Sequence, residues 1–267
     1  MKEEFLEVPS GLSPNIKTQR YSNGNWQEVT LSVPKEMSLS IYINGQEFVT
    51  ILCTPTKLNF LVLGYLRAEG IINGIEDISL MRVCEESSVA DVRLNRTDFV
   101  LPQKRILTSG CGGGVSYNDS VNGSEINSQI CITPEQLQSL MKQMLQSADL
   151  YRISGGIHTS ALCDCNSLIA FGEDIGRHNT IDKIIGECLF RNIPLKDKIL
   201  ITTGRISSEM LRKAVKMEIP IVASLTSPTE RSIILARDLD ATLIGYVRGN
   251  QITVYSKYER LNSKDQG

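Results

Sequence analysis

Cys111 stands in the run Thr108-Ser109-Gly110-Cys111-Gly112-Gly113-Gly114. Glycines on both sides remove side-chain bulk and permit positive φ, so the backbone can lift this sulfur into solvent or swing it between sites. A thiol presented in that way suits nucleophilic transfer. Its thiolate fraction depends on neighbouring charge, and the nearest cations in the chain are Lys104 and Arg105.

A second group of reactive residues is denser. It comprises Ser154-Gly155-Gly156-Ile157-His158-Thr159-Ser160 and Gly172-Glu173-Asp174-Ile175-Gly176-Arg177-His178-Asn179-Thr180-Ile181-Asp182-Lys183, and it contains both histidines of the chain. If Asp174 ends a strand and Arg177 begins a helix, the helix N–H groups and the guanidinium face one crevice, a favourable place for phosphate or a polar heterocycle. Asp174, Asn179 and Asp182 then offer hydrogen bonds to a base or a pterin. A third segment, Thr202-Thr203-Gly204-Arg205-Ile206-Ser207-Ser208-Glu209, has the form of a polar, phosphate-cradling turn with Ser207 as a helix cap. Ala223 to Thr229 adds hydroxyls near the same crevice.

Other chemistries fit less well. No Gly-x-x-x-x-Gly-Lys-Ser/Thr occurs, nor a well-placed Gly-x-Gly-x-x-Gly, which leaves nucleotide hydrolysis and dinucleotide redox without support. His158, Cys163 and Cys165 are potential zinc ligands, with the two cysteines on one face of a strand. They lack a usual spacing and a fourth ligand, and the motifs of zinc deaminases are missing. A hydrolase pairing Cys111 with His158 or His178 has no local signature.

These residues need elements to hold them. Residues 27–52 alternate and favour β structure, with Asn44-Gly45 as a hairpin turn, and predict an antiparallel sheet. A helix is expected from Lys57 to Glu69, stopped by Gly70, followed by short strands near 78–84 and 89–95. From about Pro102 to Ser128 the composition is that of a mobile surface loop. Thr133-Pro134-Glu135-Gln136 opens a helix to about Ser147.

Strands and helices then alternate. Strands are expected at 160–165, 168–173, 198–202, 219–224, 242–247 and 252–255, and helices at 177–191, 207–217 and 229–238. The pattern is that of a three-layer α/β core with a mixed, largely parallel sheet. The expected organisation is a flexible N-terminus (1–26), a smaller N-terminal β-rich α+β region (27–132), an α/β cofactor-binding core (133–258) and a flexible tail (259–267).

At 267 residues the chain can bury a sizeable core. A formal net charge of -2 gives no overall reason to bind nucleic acid or an anionic membrane, so an anionic ligand must meet a local basic site. No signal peptide or membrane-spanning run is visible, and a cytoplasmic location is expected. Seven scattered cysteines are an odd number, unlike a secreted disulfide framework. Cys53, Cys131 and Cys188 are expected to be small buried apolar residues.

Taken together, residues 154–162, 173–183 and 202–210 closely resemble the FdhD family of formate dehydrogenase accessory sulfurtransferases. Leu63-Gly64-Tyr65-Leu66-Arg67-Ala68-Glu69-Gly70-Ile71-Ile72 and Gly245-Tyr246-Val247-Arg248-Gly249 extend the likeness over most of residues 28–256. The resemblance implies a cytoplasmic protein, typically a homodimer, with a core similar to cytidine deaminases but without their zinc. It also implies an activity: persulfide sulfur taken from a cysteine desulfurase and passed to a molybdenum or tungsten bis-pterin guanine dinucleotide cofactor destined for formate dehydrogenase. Carried over by position, Cys111 is the persulfide carrier, and Tyr246, Val247, Arg248, Gly249, Asn250 and Gln251 match a cofactor-contacting segment. His158, Asp174, Arg177, His178, Thr203, Gly204, Arg205 and Ser207 are expected to line the pocket, with Arg177 and Arg205 on phosphate. The family usually carries Cys-Gly-x-Cys-Gly in the loop, whereas Gly114 replaces the second thiol here. A cofactor escort that moves no sulfur is the alternative.

Overall fold

The computed structural model describes residues 9–96, 99–100, 106–107, 115–116 and 125–261. Leu12–Ser22 (β1) and Asn25–Pro34 (β2) pair antiparallel around Asn23-Gly24, where φ is 52° and 84°. Two successive positive angles make the tight turn that matches the twist of paired strands. This corrects the expectation of a flexible stretch over 1–26: its second half is a strand, closed by an Asn-Gly signal of the same kind as Asn44-Gly45.

Met37–Ile43 (β3) and Gln46–Cys53 (β4) form the expected hairpin, and Leu58–Glu69 (α1), Ile78–Cys84 (β5) and Val89–Leu94 (β6) follow. The sheet order is β4-β3-β6-β5, with β3 and β6 parallel. Residues 27–52 therefore do not make one antiparallel sheet: β2 pairs only with β1, and the crossover through α1 brings β6 in parallel to β3. Leu61, Val62, Tyr65 and Leu66 of α1 pack on Leu39, Ile41 and Ile51 as one apolar cluster. Gly70, at φ 77°, ends the helix as its left-handed cap.

Ile106–Leu107 (β7) and Val115–Ser116 (β8) pair antiparallel. Cys111, between them in sequence, lies outside the described residues, as does most of the stretch 102–128. Its end is anchored: Ile126 is buried and its N–H donates to the Leu239 carbonyl at 3.0 Å.

Pro134–Ser147 (α2) begins with a capping box, in which Thr133 accepts from the Gln136 N–H and the Gln136 side chain accepts from the Thr133 N–H. Asp149–Ser154 (α3), unforeseen in the sequence, continues to His158–Cys163 (β9), Leu168–Asp174 (β10) and Arg177–Phe190 (α4). Ile199–Thr202 (β11), Ser208–Lys216 (α5), Ile221–Ser224 (β12), Glu230–Asp238 (α6), Thr242–Arg248 (β13) and Gln251–Ser256 (β14) complete the core.

These strands form one mixed sheet ordered β10-β9-β11-β12-β13-β14. Only β11–β12 and β12–β13 pair parallel, whereas β10–β9, β9–β11 and β13–β14 are antiparallel. The sheet is mixed as expected but not largely parallel, because a hairpin closes each end. Helices α4, α5 and α6 cover one face through Ile181, Ile184, Met210, Leu211 and Ala236. Helix α2 covers the other through Leu137, Leu140 and Met144, giving three layers.

The C-terminal boundary moves. Ile132 bridges to Leu261, and Arg260, only 5% exposed, donates to the carbonyls of Asp240 and Ile126. Residues 259–261 thus belong to the core rather than to a tail. The N-terminal sheet is joined to the core by direct backbone approach of α1 to α4. A Cβ on Gly64 would lie 1.7 Å from the Asp182 carbonyl oxygen, and one on Gly186 1.9 Å from that of Phe60.

Candidate functional site: a basic rim on the central sheet

β11 and β12 end at Thr202 and Ser224, β10 ends at Asp174, and antiparallel β9 begins at His158, so four strand termini share one edge of the sheet. Small hydroxyl residues at these ends satisfy one another where larger side chains could not pack. Ser160 Oγ donates to Thr202 Oγ1 at 2.9 Å and shares a 2.6 Å hydrogen bond with Thr180 Oγ1. The Gly204 N–H in turn donates to Thr202 Oγ1 at 3.2 Å. The Thr203 N–H donates to the Thr159 carbonyl at 2.9 Å, and Thr203 Oγ1 accepts the Thr159 N–H at 3.0 Å. The turn after β11 is thereby stitched to the start of β9.

Gly204 sits at the centre of this rim. A Cβ there would lie 3.0 Å from Arg177 Cβ and 3.3 Å from His158 Nδ1. Two residues from two other segments therefore converge on one backbone unit. Arg205 extends from the same turn and is exposed. Arg177 opens α4 and is 3% exposed. Burial chiefly, and then the Arg177 and Arg205 charges, hold the His158 imidazole below its ordinary pKa, while Asp174 opposes them. A neutral imidazole beside two guanidiniums is a setting prepared for an anion.

The next strand ends continue the rim. Ser224 Oγ donates to the Gly204 carbonyl at 2.7 Å, the Tyr246 N–H donates to the Thr226 carbonyl at 3.2 Å, and Arg248 Nε donates to the Leu225 carbonyl at 2.6 Å. A bulge between Gly245 and Arg248 puts Tyr246 at φ 52°, a left-handed angle that a bulky residue seldom adopts. Its side chain is 41% exposed as a result. Gly249 and Asn250 form the β13–β14 turn, and Arg248, Asn250 and Gln251 are exposed. Val247 faces the other way, buried among Ile244 and Ile201.

Not every residue expected in the pocket faces it. Asp174 is fully buried: its carboxylate accepts the N–H groups of Thr54 and Gly176 and the Asn179 side chain, and pairs with Lys183. It holds the β10–α4 corner from behind. Asn179 also donates to the Leu52 carbonyl, and Asp182 is held by Lys213 at 2.6 Å, so both are engaged within the fold. Burial raises the Asp182 pKa to about 6 against the pull of Lys213. His178 lies between α4 and α5, 3.4 Å from Ser207 Oγ and 3.3 Å from Glu209 Oε2, and burial lowers its pKa. Ser207 caps α5 by accepting the Met210 N–H.

Glu209, Lys183, Ser160, Thr180 and Thr202 all lie in the segments singled out in the sequence, but their roles in the site were not readable there, since their partners lie in other segments. Cys53 and Cys188 are buried as expected, and burial pushes both thiols up to about 12. Cys131 is exposed, contrary to expectation, because it precedes buried Ile132 in an extended segment. Cys163 is the last residue of β9 and buried, while Cys165 lies in the following turn, so the two do not share a strand face. Among the described residues no three His, Cys, Asp or Glu side chains are placed to hold a metal ion. No helix among them is long and apolar enough to cross a membrane.

Fold and rim together define a mixed α/β protein with a basic, glycine-floored edge suited to an anionic ligand. The FdhD/NarQ family profile matches residues 34–262, and the chain belongs to that family. It is 36% identical to the sulfur carrier protein FdhD of Bacillus pumilus over 263 residues, covering 94% of this chain and 99% of the relative. It is 38% identical to the sulfur carrier protein FdhD of Bacillus subtilis over 251 residues, covering 91% and 95%. A crystal structure assigned as a formate dehydrogenase accessory protein from Desulfotalea psychrophila superposes with a TM-score of 0.80 at 25% identity, covering 94% of this chain and all of that one.

Proposed function

We propose that this chain is a sulfurtransferase that carries sulfur as a persulfide on Cys111, from a cysteine desulfurase to a molybdenum or tungsten bis-pterin guanine dinucleotide bound at the rim. In the loading step the Cys111 thiolate attacks the outer sulfur of the desulfurase persulfide. One S–S bond breaks as another forms, and the desulfurase cysteine leaves as a thiolate. Cys111 is the only cysteine of the chain flanked by glycine on both sides. The names of the Bacillus relatives support sulfur carriage, and that of the Desulfotalea protein supports service to formate dehydrogenase.

The observation that carries the cofactor half of this reading is the convergence of His158 and Arg177 on Gly204, with Arg205 beside them. A guanidinium meets two phosphate oxygens at once, and the bare backbone of Gly204 lets a ligand approach closely. On this reading Arg177, Arg205 and the Gly204 turn hold the diphosphate, and Tyr246 with the 248–251 turn meets a planar ring. Asp174 and Val247 serve by positioning. The core would then be a cytidine-deaminase-like fold used for binding, in a cytoplasmic homodimer.

Gly114, in the place of the family's second loop thiol, favours a second reading in which the chain escorts the cofactor without moving sulfur. Formate dehydrogenase activity in cells lacking this protein separates the two. Restoration by the wild type but not by Cys111→Ala, with nucleotide binding retained, supports sulfur transfer. Equal restoration by both supports the escort.

A further inference from the structure

At the end of the central sheet away from the rim, the thiol of one cysteine meets the backbone of a second from a distant segment. Cys131 lies in the extended stretch that follows the carrier segment and leads into α2. Cys165 lies in the turn between β9 and β10, and its Sγ donates to the Cys131 carbonyl oxygen at 3.3 Å. Backbone bond lengths then put Cys165 Sγ within about 6 Å of the Cys131 Cα, a span that rotation of the two side chains has to close for a disulfide to form. The Cys131 Sγ itself donates to the Gln129 carbonyl oxygen at 3.7 Å, a weak contact that leaves the side chain free to turn. Cys131 is exposed and Cys165 partly so, unlike the buried Cys53, Cys163 and Cys188.

We propose that Cys131 and Cys165 form a second thiol site, distinct from Cys111, that closes to a disulfide on reaction with a low-molecular-weight disulfide such as oxidised glutathione. The exposed Cys131 thiolate attacks one sulfur of the reagent and expels the first thiolate. Cys165 then attacks the Cys131 sulfur of the mixed disulfide and expels the second. Two protein thiols are oxidised to one disulfide, the reagent is reduced to two thiols, and the two protons lost from the cysteines end on those thiols. The order follows from exposure: Cys131 meets the reagent, whereas burial and Asp164 raise the Cys165 thiol.

The bond would clasp the segment after Cys111 to the β9–β10 turn. That segment is already pinned by Ile126 on Leu239 and by Ile132 on Arg260. Closing the loop from 131 to 165 restricts the unfolded chain, so oxidation raises the unfolding temperature and leaves the rim, at the opposite strand ends, unchanged.

The test is non-reducing peptide mapping of the full chain carrying Cys111→Ala after incubation with oxidised glutathione. The tryptic peptides 106–142 and 153–177 then hold Cys131 in one and Cys163 and Cys165 in the other. The expected result is that the two peptides are joined. Adding Cys165→Ser should abolish the joined species and leave Cys131 carrying one glutathione, with loss of the rise in unfolding temperature. Glutathione on Cys131 without a crosslink while Cys165 is intact, an unreacted Cys131, or a crosslink that survives Cys165→Ser would each overturn the proposal.

Discussion

Lys183 Nζ lies 2.6 Å from Asp174 Oδ2, and both side chains are wholly withdrawn from solvent. The same ammonium donates to the carbonyls of Thr54 and Glu173, and the same carboxylate accepts the Thr54 N–H. One buried ion pair thus fastens the end of the N-terminal sheet to the corner from which Arg177 enters the rim.

Removing one partner strands the other charge. Lys183→Met is expected to destabilise the protein by about 3–5 kcal/mol. In thermal unfolding that is a fall of about 5–10 °C for a chain of this size. The double variant Lys183→Met, Asp174→Asn should recover part of the loss.

The approach of α1 to α4 leaves no room for a methyl group. Gly64→Ala puts Cβ 1.7 Å from the Asp182 carbonyl oxygen, so the helices must separate. A loss above about 3 kcal/mol is expected, at or beyond the upper end for overpacking. Denaturant unfolding compared with an exposed control, Gly24→Ala, measures it. Gly24 has nothing near its would-be Cβ, and its positive φ carries only the turn strain.

Burial lowers the pKa of both histidines, so each stays neutral in the folded chain where an unfolded histidine would be charged. Stability is therefore full above the ordinary histidine value, about 6.5, and declines as pH falls below it, because the unfolded chain then binds more protons. Unfolding free energies measured across that window should show the decline. A diphosphate at the rim offsets the Arg177 and Arg205 charges that help depress His158, so binding should take up a proton. Guanosine diphosphate should bind more tightly near pH 6 than near pH 8, by calorimetry, and His158→Gln should flatten the difference relative to wild type.

Arg177→Ala and Arg205→Ala should each weaken guanosine diphosphate by about 10- to 100-fold, the worth of a charge-assisted hydrogen bond or two. Gly204→Ala should do likewise with both arginines intact, because its Cβ would press on Arg177 and His158. Cys111→Ala should leave affinity unchanged. Calorimetric titration of the four variants separates the rim from the carrier.

Much of this arrangement was legible in the sequence wherever the signal was local. Thr133-Pro134 and Ser207 mark helix starts through their own backbone hydrogen bonds. The strand expected at 168–173 and the helix expected at 177–191 match β10 and α4 to within a residue. Strand pairing was not legible in the same way: the β3–β6 and β9–β11 partners are set by crossovers and tertiary packing, which residue patterns do not encode. The inward turn of Asp174 had the same cause, since its partners Thr54 and Lys183 approach from two other elements. Asn23-Gly24 was a readable hairpin signal, masked by the polar strands around it.

The most direct test of the central claim is intact-protein mass spectrometry of the wild type and Cys111→Ala after incubation with a cysteine desulfurase and cysteine under non-reducing conditions. A gain of one sulfur mass is expected in the wild type, lost in Cys111→Ala and kept when any other single cysteine is replaced. No gain in a folded protein that still binds guanosine diphosphate, or a gain that persists in Cys111→Ala, would contradict it.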